Sequence, residues 1–325
     1  MIRSSHVGSF PLRYSPENVE RVLADLYSIG LDVPPYPQLR GFVDIHMEPL
    51  VRSGAVAEIA GRYVCTSAER LYSWRGEVRA PEVELAVEAV RRRGLAFRAV
   101  RAPVAGPFTL ASRVYTSVSS TDLSSTLLAQ RDAVREFFAR YVAAWVRYAA
   151  SLGYTVIFLD EPVLAVLIGA RRNLYGYSDD EIAEILDAAL GAAPGVEAGV
   201  HVCGRVHRRV LEVISRASRV KYVSLEFRDS PQNIGMIDKR LLESHDKIVA
   251  PGMVSSRVPR LESLEDALSL LKRVYEAAGG RVDLASADCG FAGLRGALGD
   301  LEREYAVALS KLELVVRACR QLGAP

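Results

Sequence analysis

The chain has 325 residues, half of them apolar and a quarter charged, with a formal net charge of +2 and four cysteines. That is too long for a disulfide-stapled miniprotein and enough for one large α/β barrel or two modest domains. Forty-one basic against thirty-nine acidic residues leave no cationic excess for a phosphate backbone, so nucleic acid is excluded as an expected partner.

The longest uncharged stretch near the middle, Tyr148 to Leu159, has twelve residues, whereas a bilayer span takes about 20. No membrane helix is predicted. The opening MIRSSHVGSFPLR has no basic segment followed by an apolar core, so no secretory leader is expected and the expected location is the cytoplasm. In a reducing compartment the four cysteines read as metal ligands, nucleophiles or buried apolar groups. Thirty-six arginines stand against five lysines, and asparagine plus glutamine number seven. Few thermolabile amides fit a thermophile, and a GC-rich genome gives the same arginine bias. In a hyperthermophile, a disulfide between Cys65 and Cys319 becomes an option.

In chain order, strands are predicted at Ile2–His6, Arg62–Thr66, Ala96–Ala102, Thr155–Leu159, Ala198–Val202, Tyr222–Leu225, Lys247–Ala250 and Val282–Ser286. Between them, apolar residues at helical spacing predict helices over Asn18–Ile29, Pro81–Arg93, Thr121–Leu152, Ser178–Leu190, His207–Ser215, Leu264–Ala278 and Gly299–Leu322. Runs such as Thr-Val-Ile-Phe-Leu, without alternation, suit strands covered on both faces. Eight strands with helical crossovers predict a (β/α)8 TIM barrel filling residues 1–325 as a single domain, with extra helices near the N-terminus. A doubly wound open sheet is the alternative. The segment 121–152 reads as one bent helix or two. No repeat or flexible linker interrupts the chain.

Polar residues gather where the predicted strands end: Ser9 in HVGSF, Asp160 and Glu161 in FLDEP, His201 and Cys203 in GVHVCG, Glu226 in VSLEF, and Cys289 in ADCGF. In a barrel these positions share the C-terminal rim, where active sites of this architecture lie. Because side chains alternate along a strand, His201-x-Cys203 points an imidazole and a thiol to the same side. Adding Glu226 and Cys289 completes an N, S, O, S set, a tetrahedral zinc shell. Two thiolates and a carboxylate leave such a zinc site at −1. An electron-rich ion of that kind is poor at activating water but still strips the proton from a coordinating thiol, whose free pKa is about 8.5. That chemistry suits alkyl transfer to sulfur rather than hydrolysis.

Taken singly, each group also has a plain structural reading. Cys65 and Cys319 have no polar company and read as buried thiols. Glu226 reads as a rim salt bridge and Cys289 as a buried thiol beside Asp288, which caps the following loop. Asp160-Glu161-Pro162 reads as a strand-to-helix turn, and Ser9 as an N-cap.

The ordered motifs HVGSFPL, APVAGPFTL, FLDEP, HVCG, SLEF, APGMV with RVP, and ADCG run over most of the chain. Together they resemble the C-terminal catalytic barrel of cobalamin-independent methionine synthase. The resemblance implies a catalytic Zn2+ on His201, Cys203, Glu226 and Cys289, with Glu226 moving aside as substrate sulfur binds. It further implies that Val7, Gly8 and Ser9 hold the carboxylate of L-homocysteine and that Asp160 holds its ammonium. Backbone donors after a strand suit a carboxylate, and an acid suits a cation. A second acid of the amino pocket falls in GFVDIHMEPL, where Glu48 is preferred over Asp44; His46 reads equally as a surface-helix residue.

Two departures from that family bear on the methyl donor. The family's full enzyme is about twice this length, with a second, N-terminal barrel that helps hold its polyglutamyl folate, and that half is absent. The family's Asp-Ile-His insert, whose histidine is linked to proton delivery, is also missing from PGMVSSRVP. A pterin leaving group needs a proton and a cob(I)amide does not, so a methylated corrinoid, presented by a corrinoid protein, is favoured over methyl-tetrahydrofolate or a related pterin. For a pterin, His207 or Glu161 would have to serve as the acid, and a separate protein would supply the missing half.

The expected function is methyl transfer to the homocysteine thiol, giving L-methionine. Two alternatives remain: a methylcobamide:coenzyme M-type thiol methyltransferase, and a non-catalytic zinc-binding partner subunit. Coenzyme M carries a sulfonate and calls for an arginine pocket, whereas homocysteine calls for an acid such as Asp160.

Overall fold

The computed structural model describes residues 1–323. Ten strands are present: β1 Arg3–Ser4, β2 Val56–Ile59, β3 Arg62–Cys65, β4 Arg101–Ala105, β5 Val114–Tyr115, β6 Val156–Asp160, β7 Glu197–Val202, β8 Tyr222–Glu226, β9 Ile248–Gly252 and β10 Leu284–Ala285. Strands β4, β6, β7, β8 and β9 form one parallel sheet in that order, and β1 pairs with β10 in parallel. The parallel bridge Gly252–Ser286 joins β9 to the end of β10, and the parallel bridges Ser5–Val33 and Pro35–Arg101 join β1 to β4 through the extended segment 33–38. The ring is therefore closed: β1, segment 33–38, β4, β6, β7, β8, β9 and β10 make the (β/α)8 barrel.

The second barrel strand lies where the sequence reading placed none. Segment 33–38 reads Val-Pro-Pro-Tyr-Pro-Gln, and three prolines remove three ladder donors. The remaining amides do the pairing. Val33 N donates to Ser4 O at 2.9 Å, Tyr36 N to Arg101 O at 3.1 Å and Gln38 N to Gly8 O at 3.1 Å. Conversely, Arg62–Thr66, expected as a barrel strand, forms an antiparallel hairpin with β2 and a parallel pair with β5, outside the barrel. The third barrel strand also begins later than expected, at Arg101 rather than Ala96.

Phe158, Val156, Tyr222, Ala250, Leu284 and Val33 fill the barrel interior, each from a different strand except the first two. Gly199 makes room for them: a Cβ there would sit 2.5 Å from the Phe158 ring. All five residues of β6 are buried, as a strand covered on both faces requires. The outer helices obey local signals. Ser15 accepts from Asn18 N ahead of Pro16–Ser28, and Ser178 with Glu181 forms a capping box ahead of Asp179–Leu190. The predicted long helix 121–152 resolves into two short 3-10 turns, a wider π turn at Ala133–Phe138 and the helix Ala139–Leu152.

The predicted extra N-terminal helices belong to an insertion after the second barrel strand. Helix Phe42–Arg52, the β2–β3 hairpin and helix Ala68–Ser73 precede the crossover helix Pro81–Arg92. His46 is not on a surface face; it is fully buried with its ring 4.6 Å from that of Trp145. Cys65 and Cys319 are both unpaired, so the hyperthermophile disulfide does not form. Among the described residues, no helix is long and apolar enough to cross a membrane.

Candidate metal and thiol site

The C-terminal ends of β7 and β10 bring together three of the four residues singled out as ligands. His201 Nε2 lies 3.1 Å from Cys203 Sγ, and Cys203 Sγ lies 2.9 Å from Cys289 Sγ. Their ligand atoms all fall within 4.8 Å of one another. Alternation along β7 aims His201 and Cys203 the same way, and Ser224 Oγ, 3.0 Å from His201 Nδ1, fixes the ring from behind. The contact between the two sulfurs pulls the Cys289 thiol well below its ordinary value, while the same contact and burial push Cys203 up. Burial works against a His201 cation, yet the Cys289 sulfur beside it raises the imidazole overall.

Glu226 stands apart from this trio. It is fully buried at the end of β8, and its Oε1 accepts from Arg257 Nη2 at 2.7 Å. The carboxylate is held by the arginine of the loop Ser255–Val258, not turned to the sulfurs. Burial raises its pKa, with the Gly204 amide and Arg257 acting in the opposite direction. Asp288 rivets this region together: its carboxylate accepts from the amides of Phe227, Arg228 and Asp229 at 3.0, 3.0 and 2.6 Å. It caps the loop after β8 rather than the loop that follows its own strand, and so ties Cys289 to Glu226. Asn233 does the same for β7, donating to Gly204 O and Glu226 O, each at 2.9 Å.

A cavity of about 190 Å³ covers the trio, walled by Val7, Ser9, Asp160, His201, Cys203 and Cys289 among others. Asp160 is fully buried, and its Oδ1 has no hydrogen-bond partner among the described residues. Burial pushes its pKa up to about 7, against the pull of His201 and Arg101. An orphaned carboxylate oxygen in a cavity wall awaits a donor, and an ammonium supplies one. Ser9 closes the opposite side by packing against Gly290, where a Cβ would lie 2.1 Å from Ser9 Oγ. Gly8 lies between the wall residues Val7 and Ser9, its carbonyl taken by Gln38 N.

Glu48 does not reach this cavity. It pairs with Arg40 at 3.1 Å and Arg52 at 3.7 Å on the outer insertion. Asp44 accepts the Tyr63 hydroxyl at 2.7 Å and also lies outside. Glu161 is likewise committed elsewhere. It accepts from Phe108 N at 2.9 Å, Thr109 N at 2.8 Å and Thr109 Oγ1 at 2.6 Å, capping the helix Pro107–Ala111. His207 is exposed and caps the helix Arg208–Arg216. Neither candidate acid faces the sulfurs.

Three wall residues were not singled out from the sequence: Gln38, Phe42 and Arg113. Nor was Arg101, fully buried in the barrel with its guanidinium 4.0 Å over the Phe158 ring and its Nε and Nη2 unpartnered. An arginine inside an otherwise apolar strand was the available signal. Its cation counters the Asp160 and Cys289 charges.

The stretch 58–317 matches the family described as cobalamin-independent synthase, catalytic domain. The chain belongs to this family. It is an enzyme of the methionine-synthase type. Over 304 residues it is 28% identical to a methionine synthase of Methanothermobacter thermautotrophicus, covering 87% of this chain and 91% of that protein. Over 213 residues it is 26% identical to a 5-methyltetrahydropteroyltriglutamate–homocysteine methyltransferase of Nitratidesulfovibrio vulgaris, covering 64% of this chain but 25% of that protein. The fold is shared with a B12-independent methionine synthase from Shewanella bound to selenomethionine, at a TM-score of 0.66, 17% identity and 99% coverage of both chains. It is shared too with a methyltransferase from Methanosarcina mazei, at 0.61, 18% identity and coverage of 95% and 86%. Cobalamin-independent synthases are thus this chain's family, and its barrel rim carries a His-Cys-Cys cluster able to hold a metal ion.

Proposed function

We propose that this chain, acting as one catalytic domain, transfers a methyl group to the sulfur of L-homocysteine and forms L-methionine. The observation that carries the reading is one cavity wall holding both the His201–Cys203–Cys289 cluster and the unpartnered Asp160 carboxylate. The first suits a thiol-activating ion and the second suits an amino acid's ammonium. Coenzyme M, with a sulfonate and no ammonium, would leave Asp160 orphaned.

One imidazole and two thiol ligands suit zinc, with the fourth position left open. Bound there, zinc would hold the substrate sulfur as a thiolate at neutral pH. Glu226 is the fourth donor of the expected shell, and Arg257 keeps it aside, so the open position is left to substrate. Val7, Gly8 and Ser9 are the residues proposed to take the substrate carboxylate. Asp160 fixes the amino end and thereby aims the sulfur, and such orientation contributes several kcal/mol to lowering a barrier. In the transfer a sulfur–carbon bond forms as the methyl carbon's bond to the pterin nitrogen breaks, and the proton shed by the homocysteine thiol is balanced by one that the leaving nitrogen takes up from solvent.

Of the two expected donors, the comparisons name a methylated pterin and no corrinoid, nor do they support a separate protein partner. The pterin is therefore the donor of this proposal, and a corrinoid is its control. The test is an assay of purified, zinc-loaded protein with homocysteine and either 5-methyltetrahydrofolate or methylcobalamin, methionine being quantified. Methionine from the pterin supports the proposal. Methionine from methylcobalamin alone overturns the donor, and none from either overturns the function.

A further inference from the structure

Glu226 is fully buried, but the guanidinium that holds it is not: Arg257 is half exposed and reaches Glu226 Oε1 at 2.7 Å. A long side chain in solvent samples several rotamers, so its reach depends on where its backbone is held. That backbone belongs to the loop 253–262, between β9 and helix Leu264–Ala277. Val258 and Leu261 leave the outer face of the loop exposed. The hold comes from below.

Beneath the loop lies a buried ion pair. Lys311, from the middle of helix Leu301–Leu322, donates to Glu262 Oε2 at 2.6 Å and to Arg260 O at 2.9 Å. Both side chains are withdrawn from solvent. The other carboxylate oxygen of Glu262 accepts from Ser255 N at 2.8 Å. Ser255 Oγ in turn accepts from Arg257 N at 3.2 Å and Val258 N at 3.0 Å, and donates to Asp229 Oδ2 at 2.9 Å. One hydrogen-bonded path thus runs from Lys311 to the backbone of Arg257. A buried ion pair adds little stability over apolar residues of the same volume. Apolar residues cannot, however, accept from a buried amide, and that is the use Glu262 makes of its second oxygen.

We propose that Glu262, neutralised by Lys311, is a positioning residue: through the Ser255 amide it sets the loop that aims Arg257, and thereby keeps Glu226 away from the metal. This rests on the reading in which zinc sits on His201, Cys203 and Cys289, with Glu226 as the withheld fourth donor.

Zinc retention against a chelator and homocysteine binding by calorimetry test this without turnover. In E262M/K311M both charges go together, so neither is left buried alone, and the Ser255 amide loses its acceptor. The variant is expected to keep zinc severalfold more tightly and to bind homocysteine severalfold more weakly than wild type, the shifts expected of R257M. In E262Q/K311M an amide oxygen again takes the Ser255 N–H, and both values return to those of wild type. Added to R257M, E262M/K311M moves neither value further, since no arginine is left to aim. S255A deletes only the hydroxyl, shifts both values the same way, and serves where E262M/K311M does not fold.

A shifted R257M beside wild-type values in E262M/K311M and S255A overturns the brace and spares the Glu226 reading. Equal shifts in E262M/K311M and E262Q/K311M, or further shifts on top of R257M, show a general loosening and also overturn it. An unshifted R257M sinks the Glu226 reading and the brace with it. The expected shifts in a protein that makes no methionine leave the brace standing and sink methyl transfer instead.

Discussion

Cys203 and Cys289 lie 86 residues apart in sequence and place their sulfurs 2.9 Å from each other. No local signal requires that approach. It follows from closure of the ring, which sets the end of β10 next to the ends of β7 and β8 across the barrel mouth. Cys289→Ser removes one soft ligand from the cluster, and even outer partners of a metal site account for about 10–100-fold in affinity. The variant is expected to lose at least that much zinc affinity, and methyl transfer with it, while its circular dichroism stays that of the wild type. Undiminished zinc content after dialysis against a chelator would exclude Cys289 as a ligand.

Asp160→Asn keeps the shape of the cavity wall and removes its charge. Zinc content is expected to hold while the KM for homocysteine rises about 10–100-fold, the worth of a hydrogen bond to a charged group. Unchanged homocysteine affinity would remove Asp160 from the amino pocket.

Arg257→Met releases Glu226, whose only cationic partner in the described structure is that guanidinium. The freed carboxylate is expected to compete with substrate for the fourth position. Zinc retention against a chelator should rise and homocysteine affinity should fall, each by roughly severalfold, since Arg257 is half exposed and its pairing is screened. Weaker zinc retention would show that Glu226 plays no part in the shell.

Gly199→Ala tests the barrel interior, where a methyl would meet the Phe158 ring at 2.5 Å. Overpacking of this kind costs about 1–3 kcal/mol. The urea midpoint should fall with an unchanged slope, and an unaltered midpoint would show that the ring has room to move.

His46 gives the fold a dependence on pH. Burial lowers its pKa from 6.5 to about 4, with the Phe42 carbonyl opposing. Folded, it binds fewer protons than the unfolded chain between those values, so acidification favours unfolding. Its contribution is fully present above about pH 6.5 and shrinks by roughly 3 kcal/mol as pH falls to about 4. His46→Asn should flatten that part of the stability profile. An equally steep profile in the variant would place the proton uptake elsewhere; His6, stacked on Phe291 and pushed down to about 3 by burial, is the next group.

The sequence by itself determined the barrel class, the positions of seven of its strands to within a few residues, and the rim address of His201, Cys203, Asp160 and Cys289. These are local facts: apolar runs covered on both faces, period-two alternation, and a polar residue where each run ends. Only the tertiary structure decided what has no local code. Pro34, Pro35 and Pro37 hid a barrel strand, because proline lacks the donor by which strands are recognised, yet two neighbours complete the ladder through Val33, Tyr36 and Gln38. Hairpin residues Arg62–Cys65 have strand chemistry and were free to pair outside the ring. Glu226, Glu161 and Glu48 are chemically alike, and each was a candidate for the site. Their roles were settled by which cation or amide lies nearest: Arg257, the helix start at Phe108 and Thr109, and Arg40. A carboxylate's partner is fixed by long-range contacts, and those form only when the ring closes.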